Sequence, residues 1–145
     1  MILIDTNVIV YSLDADDHRN GICSERLEEC RIGKMEGGVT GGILAELAAS
    51  LTWTGRTNPL SARQCRTVIE NLMESNLLLF EESRNSLKLF LSLVSSHRLS
   101  GQQVHDAHHA AVALVSGCDE VLTFDQIHWQ RFQKDGLRNI VPAVE

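Results

Sequence analysis

The sequence lacks most of the features that mark membrane-spanning, secreted or thiolate-metal proteins. No apolar run approaches the ~20 residues that a helix needs to span a bilayer. The apolar N-terminus has no basic segment and is interrupted by Asp5, so it makes a poor signal peptide. Its four cysteines form no C-x-x-C pair, which favours reduced thiols in small apolar spaces over zinc or a disulfide. These absences predict a cytosolic protein.

Proline, aromatic residues and positive charge are also scarce. The 145 residues include two prolines and 5% aromatic residues, without a repeat or a low-complexity tract. This length, with 43% hydrophobic residues, predicts one domain, residues 1–145, with a sizeable core. The net charge of −6 argues against nucleic-acid binding by bulk electrostatics alone. A nuclease is still compatible with it, because clustered active-site acids lower the net charge and a bound metal ion reverses the local sign.

The apolar pattern predicts short strands that alternate with helices. Strands are expected at residues 2–5, 77–80, 120–124 and 139–141, and a short extended segment at 39–40 after a break at Gly37 and Gly38. Helices are expected at residues 7–14, 22–31, 43–53, 59–75, 83–97, 106–116 and 127–134, with Ser61 as an N-cap and Gly117 at a helix end. This order favours an α/β fold with a mostly parallel sheet wrapped by helices.

Four carboxylates lie where the local pattern favours a side chain fixed by protein contacts over one surrounded by solvent. Asp5 and Asp125 each follow a predicted strand, at the edge where open α/β sheets place their sites. Asp106 begins a predicted helix, where the dipole favours an anion, and Glu46 lies one turn into another. Such carboxylates are costly unless a cation meets them, and oxygen ligands favour Mg²⁺ or Mn²⁺ over zinc. The pattern therefore suits metal-assisted hydrolysis of phosphodiesters.

The passages around these acids also resemble the motifs of a known family. They are Ile2–Ile9 with its D-T-N, Ile43–Leu47, Val104–Ala107 before an alanine-rich helix, and Leu122–Trp129. In order and separation they are similar to the PIN domain, specifically the small VapC-like ribonuclease toxins of toxin–antitoxin pairs. The last passage departs from the family pattern, because His128 and Trp129 stand where a second acid and a phenylalanine are frequent. That departure weakens the case for a second metal ion.

The resemblance implies a role for each acid. Asp5 and Asp106 would be the main metal ligands, and Asp125 would complete the acidic pocket directly or through water. Glu46 would bind the metal through water or orient the attacking water. Three polar residues would support the acids by hydrogen bonds, with a helix cap as the alternative role of the second: Thr6, Asn7 and Thr123.

The resemblance also implies what the whole chain does. It implies a three-layer α/β/α domain with a short, mostly parallel sheet, and a Mg²⁺-dependent endoribonuclease, with Mn²⁺ as the alternative ion. RNA would be the substrate, a small antitoxin protein the partner, and a homodimer the assembly, for which helices 43–53 and 59–75 suit an interface. The rival interpretation is a non-catalytic interaction module with the PIN fold, which a nuclease assay with and without EDTA would separate.

Three histidines offer a different enzyme class, a zinc hydrolase. His105 and His109 are spaced i, i+4, and His108 is adjacent. The H-E-x-x-H pattern of zinc proteases is absent. Solvent-facing or packing roles are therefore favoured, and His108 and His109 are expected to lie off the inner helix face that Asp106 defines.

The two tryptophans each end an apolar helical pattern. Trp53 and Trp129 have rings that can stack on a nucleic-acid base. Because each follows a helical run of apolar residues, a place in the core or in a subunit interface is favoured.

Overall fold

The computed structural model describes residues 1–143 and contains a five-stranded parallel sheet. Its strands are β1 (Ile2–Ile4), β2 (Gly37–Thr40), β3 (Leu78–Phe80), β4 (Glu120–Leu122) and β5 (Arg138–Ile140), in the spatial order β3-β2-β1-β4-β5. β1 lies at the centre, and the chain adds strands first on one side of it and then on the other. Such a reversal opens a crevice at the carboxyl ends of the two strands that flank it, here β1 and β4.

Helices connect the strands and take up most of the described chain. They are α1 (Thr6–Ser12), α2 (Asn20–Arg31), α3 (Gly41–Thr52), α4 (Ala62–Met73), α5 (Arg84–Ser96), α6 (Gln103–Val115), α7 (Gln126–Trp129) and a 3₁₀ helix (Gln130–Asp135). Side chains that precede the helices fix several starts: Thr40 caps α3, while Ser61 and Ser83 form capping boxes with α4 and α5. Over residues 1–143, none of these helices combines the length and the apolar character that crossing a membrane requires.

The central strand is buried on both faces of the sheet. Ile2, Leu3 and Ile4 are 5%, 0% and 0% exposed. Because successive side chains of a strand point to opposite faces, helices must cover both sides of β1. This confirms the expected three-layer α/β/α architecture. The apolar core fills the space between sheet and helices, and its largest fully buried side chains are Trp129 and Phe132.

Gly37 and Gly38 form the first half of β2, so the predicted break before a short extended segment was wrong. A Cβ atom at Gly38 would lie 2.3 Å from the carbonyl oxygen of Leu78, and one at Gly37 would lie 2.4 Å from Sγ of Cys30. The two glycines therefore let β3 and α2 approach β2 more closely than any side chain would allow.

Most predicted elements are confirmed with shifted ends. Ser61 is the N-cap of α4 as expected, so this helix begins at Ala62 and not at residue 59. α6 begins three residues before its predicted start and holds Asp106 within its first turn. Gln102 precedes it without a capping hydrogen bond, so no cap residue in the sequence marks that start. The predicted helix 127–134 is divided into α7 and the 3₁₀ helix.

Candidate active site

Asp5 directly follows β1, and its side chain accepts hydrogen bonds at both oxygens. The backbone N–H of Thr6 donates to Oδ1 at 2.8 Å and thereby caps α1. Oδ2 accepts from Nδ2 of Asn7 at 2.9 Å, Oγ1 of Thr123 at 2.6 Å and Nε1 of Trp129 at 3.0 Å. Burial raises the pKa of Asp5, while the bonds from Thr123 and Thr6 oppose that rise. Because three donors occupy Oδ2, Oδ1 is the oxygen with more room for a further partner.

Asp106 lies in the first turn of α6 and is the least supported of the four acids. Among residues 1–143, no group donates a hydrogen bond to its side chain. Burial raises its pKa to about 6, and the negative charges of Asp5, Glu46 and Asp125 add to this rise. Asp106 thus lies within electrostatic reach of each of the other three carboxylates. A carboxyl group in this position gains from any cation that enters.

Glu46 is held from two sides. Nε2 of His109 lies 3.0 Å from Oε1, and the hydroxyl of Thr6 donates to Oε2 at 2.9 Å. Burial raises the pKa of Glu46, but the hydrogen bond and charge of His109 and the bond from Thr6 outweigh it, so the pKa lies below its ordinary value. Glu46 is therefore an ionised acceptor with both oxygens oriented.

Asp125 follows β4 and caps α7. Its Oδ1 accepts from the backbone N–H of His128 at 3.3 Å, and its Oδ2 lies 2.6 Å from Nδ1 of the same histidine. The backbone N–H of Asp125 donates to Oγ1 of Thr123, which in turn donates to Asp5. One threonine thus connects the acids that follow β1 and β4. His128, at the position where the family pattern often has a second acid, supplies a partner for Asp125 instead of a further negative charge.

The structure brings all four acids to one edge of the sheet, where they line two adjoining depressions. The first, of about 350 Å³, is lined by Asp5, Asp106 and Asp125. The second, of about 250 Å³, is lined by Glu46, Asp106 and Asp125. Since Asp106 and Asp125 belong to both, the two depressions form one acidic groove. The hydrogen-bonding support expected of Thr6, Asn7 and Thr123 is present: all three donate to an acid of this groove.

The acids form an open donor set and not a closed cage. In the part of the chain that the structure describes, no three His, Cys, Asp or Glu side chains are arranged to hold an ion between them. Structural and catalytic zinc sites need three or four protein ligands. Mg²⁺ usually keeps several waters and takes one or two carboxylates. Asp5 and Asp106, which both line the groove, therefore fit a hydrated hard cation.

His109 was expected to lie off the inner face of its helix, and this prediction was wrong. The side chain is 2% exposed and contacts Glu46. His109 follows Asp106 by three residues, and residues at i and i+3 lie on one face of a helix. That spacing is a sequence signal that would have placed His109 beside the acids.

The two tryptophans differ in their surroundings. Trp129 is 1% exposed, which confirms the expected place in the core. The hydrogen bond from its indole N–H to Asp5 was not expected, because local sequence patterns do not predict contacts between residues that far apart in sequence. Trp53 is 65% exposed and lies outside the core of this chain, so its place in a subunit interface stays a prediction.

The histidine cluster required for a zinc hydrolase does not form. His105 is exposed, and the ring of His108 hydrogen-bonds to Glu82 and lies edge-on to Phe90, with 5.2 Å between ring centroids. His109 points to Glu46 instead. The three rings therefore have different surroundings, and the structure contradicts the zinc interpretation.

Comparison with known proteins identifies the family to which this sequence belongs. The sequence matches the PIN domain family over residues 2–134. A search of curated proteins found no significant match. Among solved structures, the fold is similar to VapBC2 from Rickettsia felis bound to a promoter DNA fragment, with a TM-score of 0.69, 16% identity, and coverage of 97% of this chain and 99% of that chain.

Two further structures show the same likeness. VapC20 from Mycobacterium tuberculosis, described as a sarcin-ricin loop cleaving toxin, has a TM-score of 0.68 and 17% identity, with coverage of 90% of this chain and 95% of that chain. FitAcB from Neisseria gonorrhoeae has a TM-score of 0.64 and 22% identity, with 98% of each chain covered. At these identities the structural neighbours show a shared fold, and the family match covers nearly the whole sequence. This chain belongs to the PIN domain family.

Proposed function

We propose that this protein is a divalent-metal-dependent endoribonuclease and the toxin of a toxin–antitoxin pair. The observation that carries the proposal is the acidic groove, in which Asp106 lies beside three other carboxylates, has a raised pKa and accepts no hydrogen bond from residues 1–143. Family membership supports nuclease chemistry, and the sarcin-ricin loop that VapC20 cleaves supports RNA as the substrate class.

Asp5 and Asp106 would hold the ion, which we propose is Mg²⁺ or Mn²⁺, and Asp125 would complete the shell directly or through water. When bound, the ion stabilises charge on the phosphate and lowers the pKa of a coordinated water. The three donors on Oδ2 of Asp5 fix this carboxylate and leave Oδ1, which accepts one hydrogen bond, as the oxygen with more room for the ion. Pre-fixed ligands reduce the ordering cost of binding.

Glu46 would act on the attacking water. Its lowered pKa keeps it ionised, and its two supporting contacts aim both oxygens. An ionised, oriented carboxylate can accept a hydrogen bond from water and take its proton as the oxygen attacks phosphorus. Glu46 would therefore touch the water, while Asp5 and Asp106 touch the ion.

Two protein partners, an antitoxin and a second copy of this chain, are inferred from the acidic groove and from exposed apolar side chains. A basic antitoxin segment would complement the acidic groove, and the structural likeness to VapBC2 and FitAcB supports an antitoxin as the partner. A homodimer through α3 and α4 would cover apolar side chains such as Met73, which is 54% exposed.

The test is cleavage of total RNA by the purified chain, with mapping of the ends. Activity should require Mg²⁺ or Mn²⁺ and be lost with EDTA. Asp106→Asn should abolish cleavage, whereas Asp16→Asn, the same chemical change at an exposed loop position, should leave it intact. Cleavage that persists in EDTA or in a folded Asp106→Asn variant would contradict the proposal.

A further inference from the structure

The ring of His109 joins the two helices that carry Glu46 and Asp106. Nε2 lies 3.0 Å from Oε1 of Glu46, and Nδ1 lies 3.1 Å from Oγ1 of Thr40, the N-cap residue of α3. Both partners thus belong to the start of α3, while His109 follows Asp106 by one turn on α6. One buried side chain sets the position of one acid relative to another.

The carboxylate of Glu46 determines which ring nitrogen of His109 is a donor: an ionised carboxylate can only accept, so Nε2 carries a proton and donates it to Oε1. Oγ1 of Thr40 accepts the backbone N–H of Ile43 at 3.1 Å, so its own proton is free to be donated to Nδ1 of His109. With Nδ1 as the acceptor, the ring proton of a neutral His109 is on Nε2, where it is donated to the carboxylate. Both ring nitrogens are then satisfied, and the ring cannot rotate without the loss of two bonds.

Gly42 makes the space in which the ring lies. A Cβ atom at Gly42 would lie 2.7 Å from Cε1 and 3.0 Å from Nδ1 of His109. A Cβ atom at the preceding residue, Gly41, would meet nothing within 4 Å. Since the ring is 2% exposed and bonded at both nitrogens, it has little freedom to give way. The first turn of α3 is therefore shaped around His109.

We propose that His109 is a positioning residue for the RNA-cleavage reaction. Its Nε2–H donor fixes the position of Glu46 relative to the carboxylates that bind the metal. This inference rests on the proposed function. Thr6 fixes the second oxygen of Glu46, so the histidine and the threonine together define the plane of the carboxylate. Loss of the histidine donor releases one side of Glu46 and turns its oxygens away from the attacking water.

A pair of amide substitutions separates this donor from the bulk of the ring. The side-chain nitrogen of glutamine can occupy the place of Nε2 and reach Glu46, whereas that of asparagine matches Nδ1 and reaches only Thr40. His109→Gln should keep most of the wild-type kcat. His109→Asn should lose roughly 10- to 100-fold in kcat, with the KM for RNA unchanged, because misplaced catalytic groups cost about this much. Equal kcat losses in the two variants would overturn the proposal.

Substitutions at two neighbouring glycines test the same proposal and retain every polar atom of the hydrogen bonds among Thr40, His109 and Glu46. Gly42→Ala should displace the ring and lower kcat, and Gly41→Ala is the matched control in the same helical turn, expected to leave kcat unchanged. This pair decides the question if the His109 variants fail to fold. If the Gly42→Ala and Gly41→Ala variants cleaved RNA at the same rate, the position of the His109 ring would not control the orientation of Glu46.

Thermal unfolding without metal or RNA gives a readout that does not depend on activity. Melting temperatures are compared for His109→Asn, Glu46→Ala and the double variant, since alanine leaves no oxygen that could accept from Nε2. Because the two side chains share one hydrogen bond, the double variant should lose less than the sum of the single losses. Strict additivity would remove the contact on which the proposal is built. Wild-type protein that cleaves no RNA, with a non-additive cycle, would instead refute the proposed function and leave the contact established.

Discussion

Asp106 illustrates how one half-buried acid affects both stability and function. Its pKa is raised to about 6 by burial and by three neighbouring carboxylates. In the metal-free protein at neutral pH, this charge is held without a hydrogen-bond donor in the described residues. A group in this state opposes folding and favours cation binding for the same electrostatic reason.

Replacement of this acid should stabilise the metal-free protein. Because the folded pKa of Asp106 lies above its ordinary value of 3.8, the native state binds more protons between pH 3.8 and about 6. Wild-type stability therefore falls as pH rises through this window. Asp106→Asn should be more stable than wild type by roughly 1–2 kcal/mol at pH 7.5, after allowance for solvent screening, with little difference near pH 4.

Urea unfolding in EDTA at the two pH values measures this difference. Asp16→Asn is the control, since its carboxylate lies in an exposed loop. A stability gain that is equal at pH 4 and pH 7.5 would show that the gain does not come from the charge of Asp106.

Trp129 contributes a polar atom from inside the core. Its indole N–H is one of three donors to Oδ2 of Asp5. Trp129→Phe keeps an aromatic ring but removes this donor, and a hydrogen bond to a charged group contributes roughly 1.5–3 kcal/mol. The variant should lose about that much stability, and Mg²⁺ should raise its melting temperature less than that of wild type.

The same substitution in an Asp5→Asn background separates the hydrogen bond from packing. Without the carboxylate, Trp129→Phe should cost less, because only the change in ring size remains. Trp53→Phe is the control, since Trp53 is 65% exposed and is not among the residues that line the groove. An unchanged cost in the Asp5→Asn background would assign Trp129 to packing alone.

β2 depends on the absence of side chains at its first two residues. The nearest atom to a Cβ at Gly38 belongs to the backbone of Leu78, which pairs with Gly38 in the parallel ladder. Backbone atoms of a paired strand cannot move aside as a flexible side chain does. The glycine thus permits β3 to join the sheet, and β2 ends at Thr40, directly before the helix that carries Glu46.

Gly38→Ala should therefore destabilise the protein by about 3 kcal/mol, the upper range for overpacking of a buried site. Gly21→Ala is the matched control: a Cβ there meets nothing within 4 Å, and this residue lies in α2, where alanine is favoured by up to about 1 kcal/mol. Circular dichroism during thermal unfolding compares the two. A Gly38→Ala variant as stable as wild type would disprove the close approach of β2 and β3.

The molecule as a whole carries a net charge of −6, and its acidic groove concentrates negative potential at one edge of the sheet. A guanidinium group pairs with two carboxylate oxygens at once, so arginine is the side chain best suited to close this groove. Such a residue would compete with metal and exclude substrate phosphates together. The net charge would also speed the encounter with a basic partner segment at low salt.

We therefore expect the cognate antitoxin to inhibit through arginine. The neighbouring small open reading frame is co-expressed, the complex is purified, and each arginine of the partner is changed to alanine in turn. At least one change should relieve inhibition of RNA cleavage, and high salt should weaken the wild-type complex. Full inhibition after replacement of all arginines would mean that the partner masks the groove or disrupts a dimer instead.

Local patterns in the sequence located most of the elements and placed the four acids at or near the ends of strands and helices. Apolar residues at i, i+3 and i+4 predicted the helices, short apolar runs predicted four of the strands, and the acids were found by their places at strand and helix ends. These signals are local, because helix and strand periodicities bring residues only a few positions apart onto one face. The resemblance to the family motifs added a further argument, because the four acids occur in the same order along the chain as in the family.

Only the tertiary structure decided which partners meet those acids. His109 reaches Glu46 from 63 residues away, and Trp129 reaches Asp5 from 124 residues away. The close approach of β2 and β3 at Gly38 is of the same kind, since glycine reads in sequence as a break. The spacing of His109 from Asp106 puts His109 on the helix face that carries the acid, but its pairing with Glu46, like that of Trp129 with Asp5, depends on how separate elements pack. The sequence by itself thus determined which groups carry the charge, and the packing determined how each charge is held.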